Sequence, residues 1–224
     1  MCGRYGFGNP ARLNELKLGV TLPPLEPRFN FAPTQPVPMV HTGRTGSREA
    51  HMARWGLIPY WADDPKIGSR MINARGDTVR TKPAFREAFQ RRRALMPADL
   101  FYEWQSIPGV KAKQPWCIRM ADDAPFAFAA LWERWKPRTE NSDWVISCTV
   151  ITTEPNELMR PIHDRMPVII PPERFDEWLD PGTSEDDAFA LVRPYGGEMR
   201  AYQIGTFVNA AANDDSRCIE SMSG

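Results

Sequence analysis

Cys2 is the one cysteine of this chain whose position gives it a chemistry of its own. The chain opens Met1-Cys2-Gly3-Arg4. Removal of Met1 is expected beside so small a side chain, and it leaves Cys2 with a free α-amine and a thiol on adjacent carbons. Their reference pKa values are about 7.7–8.0 and about 8.5, so both groups are expected to be partly deprotonated near neutrality. Such a pair can trap an aldehyde twice: the amine forms an imine, and the thiol then closes a five-membered thiazolidine. An internal cysteine, whose nitrogen is an amide, cannot do this. The opposing reading is a frayed terminus with no role.

Three further stretches carry residues suited to proton transfer or anion binding. Glu103 lies in Leu100-Phe101-Tyr102-Glu103-Trp104. In an alternating strand it shares a face with Phe101, and a carboxylate there is open to desolvation, which raises its pKa and suits it to proton transfer. Pattern alone fits a solvent-facing glutamate on an edge strand better. His163 sits in Arg160-Pro161-Ile162-His163-Asp164-Arg165-Met166-Pro167, restricted by two prolines and close to one acid and two arginines. A histidine titrates near neutrality and can act as acid or base; a structural loop histidine is the equal alternative. Met71-Ile72-Asn73-Ala74-Arg75 puts an amide and a guanidinium on one side of an extended segment, where Asn73 can orient an amine or carbonyl and Arg75 can fork onto a phosphate. Trp55 and Trp61 are candidates for base stacking, although eight tryptophans mostly signal core. His41 and His51 fall in a plain hairpin and receive no assignment.

The elements that must position these residues are short. Twenty-two prolines in 224 residues are about twice the usual share of about 5%, which argues for fixed turns. Asn9-Pro10 reads as a helix start with Leu13, Leu16 and Leu18 as its apolar face. Thr21–Pro38 is proline-rich and irregular. Strands are predicted at 37–40, 51–55, 95–96, 100–104, 116–120, 126–135, 144–152, 168–170 and 199–204. Helices are predicted from Lys82 to Arg91 behind a Thr81 cap, from Pro172 to Leu179, and from a Ser184/Asp187 capping box to Val192. Gly56–Asp77 has no period and would be an unusually long loop, a feature that tends to be functional. Many close strands in hairpin order argue for one α+β domain over residues 1–224, with an antiparallel, barrel-like core, flanking helices and a disordered tail from about 220.

Composition narrows the classes. Net charge is zero, so this is not a generic polybasic protein. Residues 70–93 nevertheless hold eight Lys/Arg against two acids, and the chain from Glu173 onward holds eleven acids against four arginines. One face could attract an anion, or the two regions could offset each other. The cysteines at 2, 117, 148 and 218 show no paired spacing, and a reducing cytoplasm is the simplest setting. No Cys/His cluster has zinc-ligand spacing, so no metal and no cofactor are expected. No run reaches the length of a membrane span, and the N-terminus lacks the regions of a signal peptide.

Taken together, Met1-Cys2-Gly3-Arg4, Trp55-Gly56-Leu57-Ile58-Pro59, Ile72-Asn73-Ala74-Arg75, Phe101-Tyr102-Glu103-Trp104 and Ile162-His163-Asp164-Arg165-Met166-Pro167 resemble the SRAP family of SOS-response-associated, abasic-site processing proteins. The similarity runs from Cys2 to about Ile219. The resemblance implies a protein of the DNA damage response that binds single-stranded DNA and traps the aldehyde of an abasic site as a thiazolidine crosslink. It implies Cys2 as nucleophile, Asn73 positioning its amine or the opened sugar, Glu103 managing the cysteine's proton, and His163 as acid/base on the sugar oxygen. It implies Arg4 and Arg75 on phosphates, with Arg165, Trp55 and Trp61 also toward DNA. The family's peptidase label, with the hydrolase and lyase chemistry it suggests, belongs to the same cleft. A cytoplasmic monomer working at the nucleoid is the expected setting. Two alternatives stay open: an N-terminal-nucleophile amidotransferase, for which Arg4 fits poorly, and a single-strand binding module without chemistry.

Overall fold

The alternating apolar pattern resolves into two sheets of a single α+β arrangement. The computed structural model describes residues 2–138 and 142–222; Met1, and with it the expectation of its removal, lies outside the described residues. Strands β1 (Arg4–Phe7), β2 (Arg28–Phe31), β3 (Pro36–Thr42), β4 (Arg48–Trp55) and β5 (Asn73–Arg75) come first. They are followed by β6 (Arg93–Ala98), β7 (Leu100–Gln105), β8 (Gln114–Met120), β9 (Phe126–Trp135) and β10 (Val145–Thr153). Then come β11 (Met166–Pro167), β12 (Ile169–Ile170) and β13 (Met199–Gln203), with α1 (Arg86–Arg91), α2 (Phe175–Leu179) and α3 (Glu185–Ala190) at the margins.

One sheet runs β13-β8-β7-β1-β2. The other runs β11-β10-β4-β3-β6-β9-β12, and β9 also pairs with β10. That extra pairing closes β3, β4, β6, β9 and β10 into a ring, the barrel-like core. Closure removes open edges from these strands. An aromatic cluster fills the space between the sheets. Tyr5 stacks on Phe31 at 4.8 Å and meets Trp55 and Phe128 edge-on at 5.5 and 5.6 Å, the offset and T-shaped geometries that ring quadrupoles favour. The rings of β1 thus anchor a strand that begins two residues from Cys2.

The marginal elements follow local sequence with instructive departures. Ser184 Oγ accepts the Asp187 N–H at 3.1 Å, the capping contact that the sequence predicts. The helix expected over Lys82–Arg91 starts only at Arg86, since Pro83 biases Lys82 away from helical angles. Phe85 and Phe89 are both buried. Leu13, Leu16 and Leu18 are buried as well, but Pro10–Leu16 is a 3₁₀ helix and Asn9 makes no side-chain cap bond. The segment read as irregular contains β2, held because the Asp214 carboxylate accepts the N–H groups of Phe29 and Asn30. The expected tail disorder does not extend to Ser221 and Met222. Ser221 bridges to Ile204, and Met222 N–H donates to Gln203 O at 3.0 Å; residues 223–224 lie outside the described residues.

The long loop after Trp55 is pinned by two glycines. Gly56 has φ +131°, a region that side chains rarely adopt. A Cβ on Gly56 would lie 2.5 Å from the Gly68 carbonyl oxygen, and one on Gly68 would lie 2.6 Å from the Gly56 carbonyl oxygen. The two backbones therefore cross without side chains. The Trp55 indole N–H donates to Ile72 O at 2.9 Å, and β5 then pairs in parallel with β10 through Asn73↔Val150. The crossing thus sets where Asn73 arrives. Gly56→Ala should cost about 1–3 kcal/mol, measured by chemical denaturation; an unchanged midpoint would show that the crossing has slack.

Candidate active site around Cys2

Strand pairing places Glu103 inside the molecule. β7 is the third of five strands, with β8 on one side and β1 on the other. Phe101 points into the aromatic core, 6.0 Å from Phe128 between ring centroids, and the period of two carries Glu103 to the same face. The opposite face of β7, with Leu100 and Tyr102, is covered by Ile204, Val208 and Cys218 from the C-terminal segment. Glu103 is consequently 2% exposed, and the solvent-facing edge glutamate is not what forms. Burial pushes its carboxyl up to about 7, because the anion loses water.

Cys2 reaches the same place from the other strand. β1 pairs antiparallel with β7 through Arg4↔Tyr102 and Tyr5↔Phe101, so the chain end runs toward Glu103, whose charge acts on the Cys2 thiol. Asn73 Nδ2 donates to the Cys2 carbonyl at 2.8 Å, while Asn73 Oδ1 is buried without a hydrogen-bond partner among the described residues. Cys2 is fully buried. Its thiol is pushed well above the usual range by burial, and further by the nearby Glu103 charge. The structure overturns the expectation that this thiol is partly ionised near neutrality: it stays protonated until a base takes the proton.

His163 completes the group. Its Nε2 lies 3.8 Å from Glu103 Oε2. The Arg165 backbone N–H donates to Nδ1 at 3.1 Å, which leaves the proton of the neutral ring on Nε2, facing Glu103. Asp164 Oδ1 is also 2.8 Å from Nδ1, on a water-exposed carboxylate. One protonation state cannot use both partners. Nδ1 accepts from Arg165 when the ring is neutral and can donate to Asp164 when the ring is protonated. Burial holds the His163 pKa below its usual value. The histidine opens onto a groove of about 490 Å³ lined by Trp104, Ser106, Lys113, Pro155 and Arg160–Asp164.

Cys2, Asn73, Glu103 and His163 thus come together, and the remaining candidates divide. Arg75 is exposed on β5 and pairs with Asp77 at 2.7 Å. Arg165 lies 3.6 Å from the same carboxylate and donates to Thr152 O at 2.8 Å. Arg4 is engaged elsewhere: its guanidinium donates to Val208 O at 2.9 Å and to Asn209 O at 3.4 Å, so it fastens the C-terminal turn rather than facing a free phosphate position. Trp55 is fully buried in the core and is not placed to stack a base, whereas Trp61 is 45% exposed. The basic stretch is offset by acids in part: Arg80 pairs with Glu185 and Asp186, and Arg92 with Glu133 and Glu87. Arg93 is buried, donating to Trp178 O and Phe89 O. Lys113 and Arg160, the cations of the groove, do not stand out in the sequence as site residues. Arg160 opens the stretch that carries His163, but Lys113 sits in a polar turn that gives no signal.

A raised carboxyl has a definite linkage sign. Between its ordinary value of 4.5 and about 7, Glu103 binds a proton in the folded state and not in the unfolded one. Stability should therefore fall as pH rises through that window, with a slope on the order of 1 kcal/mol per pH unit. Denaturation at pH 5 and pH 8 should show Glu103→Gln losing less stability across the interval than the parent; equal losses would mean that Glu103 is ionised throughout.

Comparison with known proteins bears on this geometry. The family model for the SOS response associated peptidase (SRAP) matches residues 1–211. The abasic site processing protein YoaM of Bacillus subtilis is 43% identical over 197 residues, covering 87% of this chain and 85% of its own length. The abasic site processing protein YoqW of the same organism is 40% identical over 227 residues, covering 99% of this chain and all of its own. A crystal structure of a Bacteroides thetaiotaomicron protein superposes with a TM-score of 0.85 over 99% of this chain and all of that one, at 24% identity, which shows the shared fold.

Proposed function

The chain belongs to the SOS response associated peptidase (SRAP) family, and from that premise we propose that it processes abasic sites in single-stranded DNA by a covalent thiazolidine link through Cys2. The observation that carries the reading is the meeting of Cys2 with Asn73 and Glu103: a 2.8 Å bond from the Asn73 amide to the Cys2 carbonyl, beside a buried carboxyl held near neutrality. The relatives named abasic site processing proteins support the substrate.

The steps balance without a cofactor. An abasic sugar is mostly a closed hemiacetal. A proton delivered to its ring oxygen, with loss of the proton of the anomeric hydroxyl, opens it to the aldehyde, and His163, facing the groove, is the group to give the one and take up the other. The Cys2 α-amine, free once Met1 is removed, adds to the aldehyde carbon and loses water to give an imine. The thiol then adds to the imine carbon, and its proton ends on the ring nitrogen. Burial keeps that thiol protonated, so a base must move the proton, and Glu103, poised near neutrality, can accept and return it. Asn73 holds the Cys2 backbone still, and its open Oδ1 can orient the amine. Arg75, Arg165, Lys113 and Arg160 are the cations available to phosphates, with Trp61 an exposed ring for stacking.

Two measurements test this reading. In single-turnover crosslinking to abasic single-stranded DNA, read on a denaturing gel, Cys2→Ala should leave no heat-stable adduct. His163→Ala and Glu103→Gln should slow the reaction about 10²-fold or more, the usual size of a lost acid–base step. A wild-type rate in both would remove the proton roles. In binding, Arg75→Ala should reduce the log–log salt slope by roughly 0.7, the value of one single-strand phosphate contact; an unchanged slope would make the Arg75–Asp77 pair purely structural.

A further inference from the structure

The β3–β4 hairpin gathers a second group of chemically competent side chains. His41 pairs directly with Glu49 across the hairpin, and His51 lies two residues along β4 from Glu49, on the same face. One ligand-type atom from each of the three lies within 4.8 Å of the others. The group shares no hydrogen bond or ion pair with the Cys2 cluster among the described residues.

His41 is the informative member. It is 3% exposed and packs on the Trp132 ring at 4.1 Å between centroids. Its Nδ1 lies 3.0 Å from the Thr42 carbonyl oxygen, which must receive a proton from it, because an oxygen cannot donate. Nε2 therefore carries the lone pair. That nitrogen is buried and has no hydrogen-bond partner among the described residues; Glu49 Oε2 lies 3.9 Å from it. The same oxygen lies 3.2 Å from His51 Nε2. A buried nitrogen with its lone pair aimed at a carboxylate, and with its other ring N–H fixed by a backbone carbonyl, is how ligating histidines are held.

We propose that His41, Glu49 and His51 form a binding site for a divalent transition-metal ion of the zinc class. Two imidazoles and one carboxylate are a ligand set that zinc accepts, with a fourth position left to water. Around a tetrahedral ion with bonds of about 2.1 Å, ligand atoms stand about 3.4 Å apart. The two imidazole–carboxylate separations of 3.2 and 3.9 Å bracket that value, and the three ligand atoms together lie within 4.8 Å of one another, so the rings must draw together to close on one ion. The two rings are nearly parallel, at 18°. His51 Nε2 donates to Glu49 Oε2 at 3.2 Å, so an ion that binds displaces that proton to water and takes the lone pair it frees. His41 is fixed by Trp132 and Thr42. His51, on the solvent side, supplies the turn about its Cβ–Cγ bond that brings both lone pairs onto one ion. Chain spacing alone hides this set, since positions 41 and 51 become neighbours only when the hairpin folds.

The test is titration of tag-free, chelator-stripped full-length protein with Zn²⁺ by calorimetry and with Co²⁺ by visible absorption. One ion should bind per chain, and the Co²⁺ complex should show four-coordinate d–d bands without a thiolate charge-transfer band. His51→Ala and Glu49→Gln, both on the solvent side of the hairpin, should each weaken binding tenfold or more while thermal denaturation shows them folded; Cys2→Ala should bind like the parent. Failure of the parent to bind either ion stoichiometrically, unchanged affinity in both hairpin variants, or loss of binding in Cys2→Ala would overturn the site.

Discussion

A reactive chain terminus has to be held still, and the pairing of β1 with β7 is the constraint that does so here. A free end normally frays. In this fold the residues next to it are an interior strand: Tyr5 and Phe7 are buried, and Arg4 to Gly6 are laddered to Leu100–Tyr102. The Asn73 amide adds a bond to the Cys2 carbonyl. In the proposed reaction, positioning of this kind would convert a chance encounter between amine and aldehyde into a reaction within one site. The rest of the structure serves that ladder. The closed ring of strands carries β10, β10 carries β5, and the Gly56–Gly68 crossing delivers the chain to β5. The C-terminal turn, fastened by Arg4 and by Asp214, covers the outer face of β7.

The same burial that holds Cys2 sets its chemistry. Out of water the thiol is a poor acid, and the Glu103 carboxyl is raised to about 7. The Glu103 charge adds to the rise of the thiol, whereas burial is the main cause of the rise of Glu103. The outcome is a neutral thiol beside a carboxyl that changes state near physiological pH, which in the proposed reaction would tie proton movement to the closing of the ring. His163 faces Glu103 across 3.8 Å and also lines the groove, which places it between solvent and carboxylate.

How much of this was legible in the sequence depends on whether a position is set locally or by tertiary pairing. The strands, the Ser184 cap and the shared face of Phe101 and Glu103 follow from local periodicity, and the motif stretches that supplied Cys2, Asn73, Glu103 and His163 do converge. Burial of Glu103 was not legible, because it depends on β7 becoming an interior strand and on a segment a hundred residues away covering its other face. The thiol of Cys2 was misjudged for the same reason: reference pKa values describe water. Trp55 and Arg4 look like surface groups next to motifs, yet one fills the core and the other caps carbonyls. The charge asymmetry between residues 70–93 and the C-terminal part was visible, but only the fold shows which charges meet: Arg80 pairs with Glu185 and Asp186, while Arg92 turns to Glu87 and Glu133. The His41–Glu49–His51 group is a cross-strand arrangement, and spacing along the chain cannot reveal it.

Intact mass spectrometry of the protein after incubation with an abasic single strand, followed by peptide mapping, addresses the central claim most directly. Imine formation releases one water, and ring closure by the thiol releases nothing further. The account predicts a single adduct whose mass equals the protein without Met1 plus the oligonucleotide minus one water, with the modification on Cys2. An unmodified Cys2, or an adduct mapped to a lysine, would contradict it.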